Sequence, residues 1–437
     1  MKIKGDTFRF VAYLSPPPAK VGHGKFKDNL NYIDQKNYQT MVDCGFDRAI
    51  GLFEERTEHY LAGMKQAQKV GIDYLVRDQF KDGSIEGIIW DGEKTEPSEK
   101  ALEKIESKIR ERFDEYAKMP AYGGILASDE PSAALFTAIK KMQDYYEKTY
   151  PGKVFLVNLL PTYGNNEQLY GDMSFNGDYK KDYVQKFIDV VDPQILSFDH
   201  YALCFDLKTG ENTMSPTQLL NLEVFAECAR DSGLDYYVFL LTMGCLWFRT
   251  MKTYADIAWQ VFSAMAYGAK GAQTFTYWTL LSDGEQEKIV SALVDREGNK
   301  TDAWYAMQEV ISDVRGFEKE FMKSSWVGTF TVNGCKEENI NFKELKHPLK
   351  DHPAIKSLSC DGDCIVGVFE REDGYALLPM NFIDPAKLQD ITLDLGINAT
   401  KATLCRGKER TEIGENSKIF LRAGEGVFVI IDKGDMR

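Results

Sequence analysis

From residue 8 to about residue 324 the chain alternates short β-branched or aromatic runs with longer amphipathic stretches, and that alternation constrains the fold more than any other feature. Eight strand-helix units can be counted. Phe8 to Leu14 is the first predicted strand, stopped by Ser15 and three prolines, and Phe46 to Phe53 and Ile72 to Val76 follow. The fourth lies in Gly123-Gly124-Ile125-Leu126-Ala127-Ser128-Asp129-Glu130-Pro131, an apolar run with glycines in front and a proline behind. Val154 to Leu160, Gln194 to Phe198, Tyr236 to Leu241 and Ala272 to Tyr277 complete the set, with helical patterns such as Pro97 to Lys118, Pro216 to Ser232 and Asp302 to Met322 between or after them. Beyond Ser325 the texture changes to strands separated by turns such as Asp361-Gly362-Asp363, without convincing helices. The expected architecture is α/β: a TIM (β/α)8 barrel over residues 1–325, then a small all-β sandwich domain over residues 326–437.

A chain of 437 residues that is 43% hydrophobic has material for one large core and a smaller one. Its net charge of -14 argues against nucleic acid or an anionic membrane as partner, because both need clustered Lys and Arg to neutralise phosphate. The eight cysteines are scattered without zinc spacing. The opening MKIKGDTFRF has no apolar run of leader length, so a cytoplasmic, reducing location is expected, or a secreted or periplasmic one if a leader has been removed.

A buried strand that ends in two carboxylates needs an explanation, and in a (β/α)8 barrel strand ends line the face where chemistry is placed. Across the eight units these ends carry Glu54 and Glu55 after strand two, Asp78 after strand three, Asp129 and Glu130 at strand four, and Asp199 at strand six. A ring of acids can bind a divalent cation, but only His200 stands near it, so neither metal nor cofactor is expected. No lysine sits at a strand end for Schiff-base chemistry, and no glycine-rich phosphate loop follows strand seven or eight. What remains is acid-base work by two carboxyls, the arrangement that glycosidic bond cleavage requires, with a carbohydrate as substrate. Tyr201, Trp247, Tyr277 and Trp278 would cover the apolar faces of sugar rings, and Asn158 and Tyr163 are further candidates for contact with them.

Ser128-Asp129-Glu130-Pro131 is similar to the Asn-Glu-Pro that ends strand four in the clan A barrel glycoside hydrolases, including the β-galactosidase-like members, with Asp in place of Asn. Gly268 to Trp278 resembles their eighth strand, Ala292 to Gly298 the connection before their last helix, and a trailing β-sandwich is common among them. The resemblance implies that Glu130 is the general acid/base and that Trp278 floors the sugar site. One departure stands out. Those enzymes carry a nucleophilic Glu at the end of strand seven, whereas Tyr237 to Gly244 contains no acid, and Asp199 is the obvious substitute. A gap of about 6.5–9.5 Å between Asp199 and Glu130 implies inversion, and about 5–5.5 Å implies retention.

The expected function is therefore a glycoside hydrolase acting on an oligo- or polysaccharide, with Glu130 as general acid and Asp199 as base or nucleophile. The missing acid on strand seven motivates an alternative, a non-catalytic carbohydrate-binding or scaffolding protein on a glycosidase barrel. Several residues carry two readings. Asp129 either orients Glu130 and bonds a sugar hydroxyl or caps the next helix, and Asp199 has a rim salt bridge with an Arg such as Arg77 as its bland alternative. His200 is either a packed neighbour or a sugar ligand. One of Glu54, Glu55 and Asp78 is expected to touch substrate.

Overall fold

The computed structural model describes residues 2, 4–18, 32–51, 57–77, 99–280 and 289–437. Eight parallel strands form one sheet: Arg9–Tyr13, Arg48–Ile50, Asp73–Val76, Tyr122–Asp129, Val154–Asn158, Leu196–Asp199, Tyr236–Leu241 and Gly271–Phe275. The first pairs with the eighth, Arg9 opposite Gly271, and a bridge from Leu159 to Phe198 joins the fifth to the sixth. The ring is thus closed. Strands five and seven are buried at every position, which is why they read as unbroken apolar runs rather than as alternating ones.

Strand four is the irregular one. Against strand three its register slips between Tyr74 and Leu75, and against strand five between Leu126 and Ser128, so it carries an extra residue relative to each neighbour. Such bulges bend a strand and re-aim its tip. Gly124 permits the first of them: its φ is +143°, and a Cβ there would lie 2.1 Å from the carbonyl oxygen of Val154.

The helix Tyr254–Ala266 follows strand seven and begins with a capping box, Thr253 Oγ1 accepting from the Asp256 N–H while Asp256 Oδ2 accepts from the Thr253 N–H. It is apolar nearly all round, a pattern that demands cover on both sides. The barrel covers one side and the C-terminal sheet the other. That sheet has seven antiparallel strands, in spatial order Ser325–Val332, Cys364–Arg371, Gly374–Asn381, Phe428–Asp432, Ile391–Arg406 and Ile355–Cys360, with Glu409–Leu421 paired to Ile391–Arg406. It folds, sandwich-like, over an apolar cluster of its own. Trp259 of the helix stacks on Phe382 at 4.9 Å and Phe317 on Phe428 at 5.4 Å, so aromatic faces join sheet to barrel. Trp259→Ala is expected to lower unfolding free energy by roughly 3–5 kcal/mol in urea titrations; a loss under about 1 kcal/mol would mean the face is loosely packed.

Two features escaped sequence reasoning. A five-residue helix, Ile340–Glu344, interrupts the stretch expected to be all strand, and a hairpin of Leu203–Phe205 with Asn212–Met214 stands above strand six. Both are too short to leave a periodic signal. Among the described residues no helix is long and apolar enough to cross a membrane.

Candidate active site

The tip of strand four is held in a conformation that an isolated chain disfavours. Glu130 has φ +53°, a left-handed backbone that costs a non-glycine residue about 1–2 kcal/mol. Neighbours impose it. The Glu130 N–H donates to the Asn158 carbonyl at 2.8 Å, and the Tyr183 hydroxyl donates to the Pro131 carbonyl at 2.8 Å while accepting from the Leu160 N–H at 3.1 Å. Strand four is thereby pinned to the end of strand five, and Glu130 is turned into the barrel mouth.

There its carboxyl meets that of Asp199, within hydrogen-bonding reach. Two carboxyls can be joined in this way only when one is protonated. Burial, then the Asp129 charge, raises the Glu130 carboxyl above its ordinary value, against the hydrogen bond with Asp199 and the charge of Arg77. Asp199, 6% exposed, is raised well above the carboxylate range by burial, then by Glu130 and Asp129, with a hydrogen bond from Asn158 opposing. The pair titrates as a unit and holds a proton that lone carboxylates would have released.

Asp199 therefore stands beside Glu130 as its hydrogen-bonded partner at the mouth. Arg77 does not pair with Asp199, the rim salt bridge that was the bland alternative for that acid. Its Nη2 lies 3.1 Å from Asp129 Oδ2, and Asn158 Nδ2 reaches Asp129 Oδ1 at 3.2 Å.

The aromatic candidates divide. The Tyr201 ring stacks on Phe275 at 5.2 Å and takes the edge of Phe248 at 5.3 Å, and its phenol is raised first by burial and then by Asp199. Trp247, next to Phe248, is 46% exposed above the mouth, on a loop whose Arg249 forms a bidentate pair with Asp384 of the C-terminal sheet. Tyr163, 54% exposed, sets its ring against His200 at 5.0 Å. Tyr277 and Trp278 do not offer sugar-facing planes. The eighth strand ends at Phe275, two residues before the expected end, and Tyr277 is 0% exposed, its ring against Phe46. Trp278 is 1% exposed and packed against Tyr32, so a ring closed off on both faces replaces the expected floor.

His200 takes its bland reading. It is 2% exposed, its Nδ1 meets Asn221 Oδ1 at 3.1 Å and its Nε2 meets Ser215 Oγ at 2.9 Å, leaving neither ring nitrogen for a ligand. Burial lowers its pKa to about 4, so it is neutral. Glu54, Glu55 and Asp78 lie outside the described residues. Among the described residues no group of His, Cys, Asp and Glu is arranged to hold a metal ion.

Sequence reasoning missed Tyr13, whose ring lies under the Arg77 guanidinium at 5.7 Å, and Phe275, the inward aromatic of strand eight. It also missed Ser197 and Gln273, polar side chains wholly buried inside the barrel. A signal existed for these two: each interrupts an otherwise apolar strand, and a polar group in such a run needs a partner.

Fold and site together define a (β/α)8 barrel followed by an all-β C-terminal sheet, with a carboxyl cluster at the C-terminal mouth of the barrel. A family 39 glycoside hydrolase from the gut symbiont Bacteroides cellulosilyticus WH2 superposes with a TM-score of 0.52 at 11% identity, covering 98% of this chain and 82% of that one. A β-galactosidase from the psychrophilic Marinomonas ef1 does so with a TM-score of 0.51 at 9% identity, covering 72% of this chain and 62% of that one. At such identities the likeness is one of fold. No family model matches the sequence, and no curated protein matches it.

Proposed function

We propose that the protein hydrolyses O-glycosidic bonds of an oligo- or polysaccharide, with Glu130 delivering the proton to the departing sugar oxygen. The observation that carries this reading is the buried, hydrogen-bonded pair of Glu130 and Asp199 at the mouth of the barrel, both carboxyls raised above their ordinary values by burial and by neighbouring negative charge. A leaving alkoxide needs an acid still protonated near neutrality, and burial plus like charge keeps one here. Glu130 is the outer member and faces the substrate, and Asp199 behind it shares the proton that Glu130 gives to the departing oxygen; the water that takes the leaving group's place at the anomeric carbon gives up the proton that restores the pair. Asp129, paired with Arg77, lies beside them where it accepts hydrogen bonds from sugar hydroxyls. Tyr201, Trp247 and Tyr163 offer rings to the sugar faces.

A second reading has an observation of its own. At the end of strand seven Met243 and Cys245 pack with Ala292 in an apolar cluster, so among the described residues no carboxyl closes that strand. This favours a carbohydrate-binding protein on the same barrel. Incubation with a panel of aryl glycosides, 2-acetamido sugars included, and with plant and host polysaccharides separates the two. Release of phenol or reducing ends is the expected result; oligosaccharide binding by calorimetry, with nothing released over days, replaces the hydrolase with the binding protein.

A further inference from the structure

A chain of hydrogen bonds crosses the barrel interior beneath the carboxyls, and the chemistry of its members fixes its direction. Gln273 Nε2 donates to Ser197 Oγ at 2.8 Å. Which end of the Gln273 amide meets the serine follows from the carboxyls: Asn158 turns its NH2 to them, so its Oδ1, 2.9 Å from Ser197 Oγ, takes the serine's one hydrogen and the serine oxygen is left to accept from Gln273, whose Oε1 makes no hydrogen bond. With its oxygen engaged, Asn158 presents its NH2 upward, to Asp199 Oδ1 at 2.9 Å and to Asp129 Oδ1 at 3.2 Å. The reverse orientation of that amide would set an oxygen against two carboxyls. All three side chains are buried, on strands eight, six and five.

We propose that Ser197, with Gln273 behind it, is a positioning residue for the acid site: the two lock the Asn158 amide in the orientation that donates to both Asp129 and Asp199. The inference rests on reading the mouth as a proton-delivering site. Neither residue touches the carboxyls, and both act through Asn158. Without the lock the amide turns its oxygen toward them, only a protonated acid can meet that oxygen, and the cluster keeps its proton to higher pH.

The other charged groups facing Asp199 are Glu130 and Asp129, with Arg77 beyond them. The phenols of Tyr163, Tyr179, Tyr183 and Tyr201 are raised by burial and stay neutral, as does His200. None of these changes when Ser197 or Gln273 is replaced, so a shift reports the amide.

Carbon-13 NMR of side-chain carboxyls, in protein labelled at Asp and Glu and assigned through signals lost in Asp199→Asn, reads the titration directly. Ser197→Ala is expected to move the midpoint of the pair upward by about one pH unit, the scale of one lost hydrogen bond to a charged group. Gln273→Met, which frees the serine hydrogen to turn away, is expected to give a smaller shift of the same sign, and Ser197→Thr, which keeps the hydroxyl, to restore the wild-type midpoint. Wild-type titration in folded Ser197→Ala overturns the proposal; if that variant does not fold, an unshifted Gln273→Met does so. Because the readout needs no turnover, a wild type that cleaves no glycoside would sink the hydrolase reading and leave this inference to the midpoints.

Discussion

Replacing Glu130 by glutamine is expected to lower kcat/KM for an aryl glycoside by about 10²–10⁴-fold, the range for removing a general acid. Glutamine keeps the side-chain volume and the left-handed backbone, which neighbouring contacts impose rather than the carboxyl itself. Folding, read by circular dichroism and melting, should be unchanged. The loss should be steepest for poor leaving groups and shallow for a dinitrophenolate, which departs without a proton. Near-native turnover with a poor leaving group would remove Glu130 from the chemistry.

Asp199→Asn should produce two opposite effects. Turnover falls, by about 10²-fold or more, because Glu130 loses the partner with which it shares the proton. Stability at neutral pH rises. Burial, then Glu130 and Asp129, raises the Asp199 carboxyl well above its ordinary value of 3.8, so the folded protein retains a proton that the unfolded chain releases. The stability tied to that proton is complete below the ordinary carboxylate range and is lost as pH climbs through the raised value. Asparagine does not titrate; it accepts from Asn158 and donates to Glu130 as the protonated acid did. The variant is expected to melt a few degrees above wild type near pH 7.5, the gap closing near pH 4. A variant less stable than wild type at neutral pH would show that the ionised carboxylate is held by favourable contacts.

Much of the barrel was legible because its signals are local. Tyr236–Leu241 is six consecutive apolar residues buried on both faces, and such a run between amphipathic stretches has few other uses. The acids at the ends of strands four and six were legible for the same reason, since a carboxyl closing an apolar run needs a partner or a site. Tyr277 and Trp278 were misread because alternation predicts which side a residue takes only while the strand continues, and strand eight stops at Phe275. The spacing of Asp199 from Glu130 was beyond reach: it depends on two bulges in strand four and on the left-handed turn at Glu130, none of which the identities of those residues require.

Sequence by itself determined that eight parallel strands alternate with helices, that a strand-rich segment follows, and which strand tips bear carboxyls, because apolar runs and their charged ends are properties of neighbouring residues. The tertiary structure alone decided which of those carboxyls touch, since strands four and six meet only through the closure of the ring across strand five. It also decided that a buried serine and two amides lie beneath them, because a hydrogen-bonded chain across a barrel joins residues far apart in sequence, and no local pattern records it.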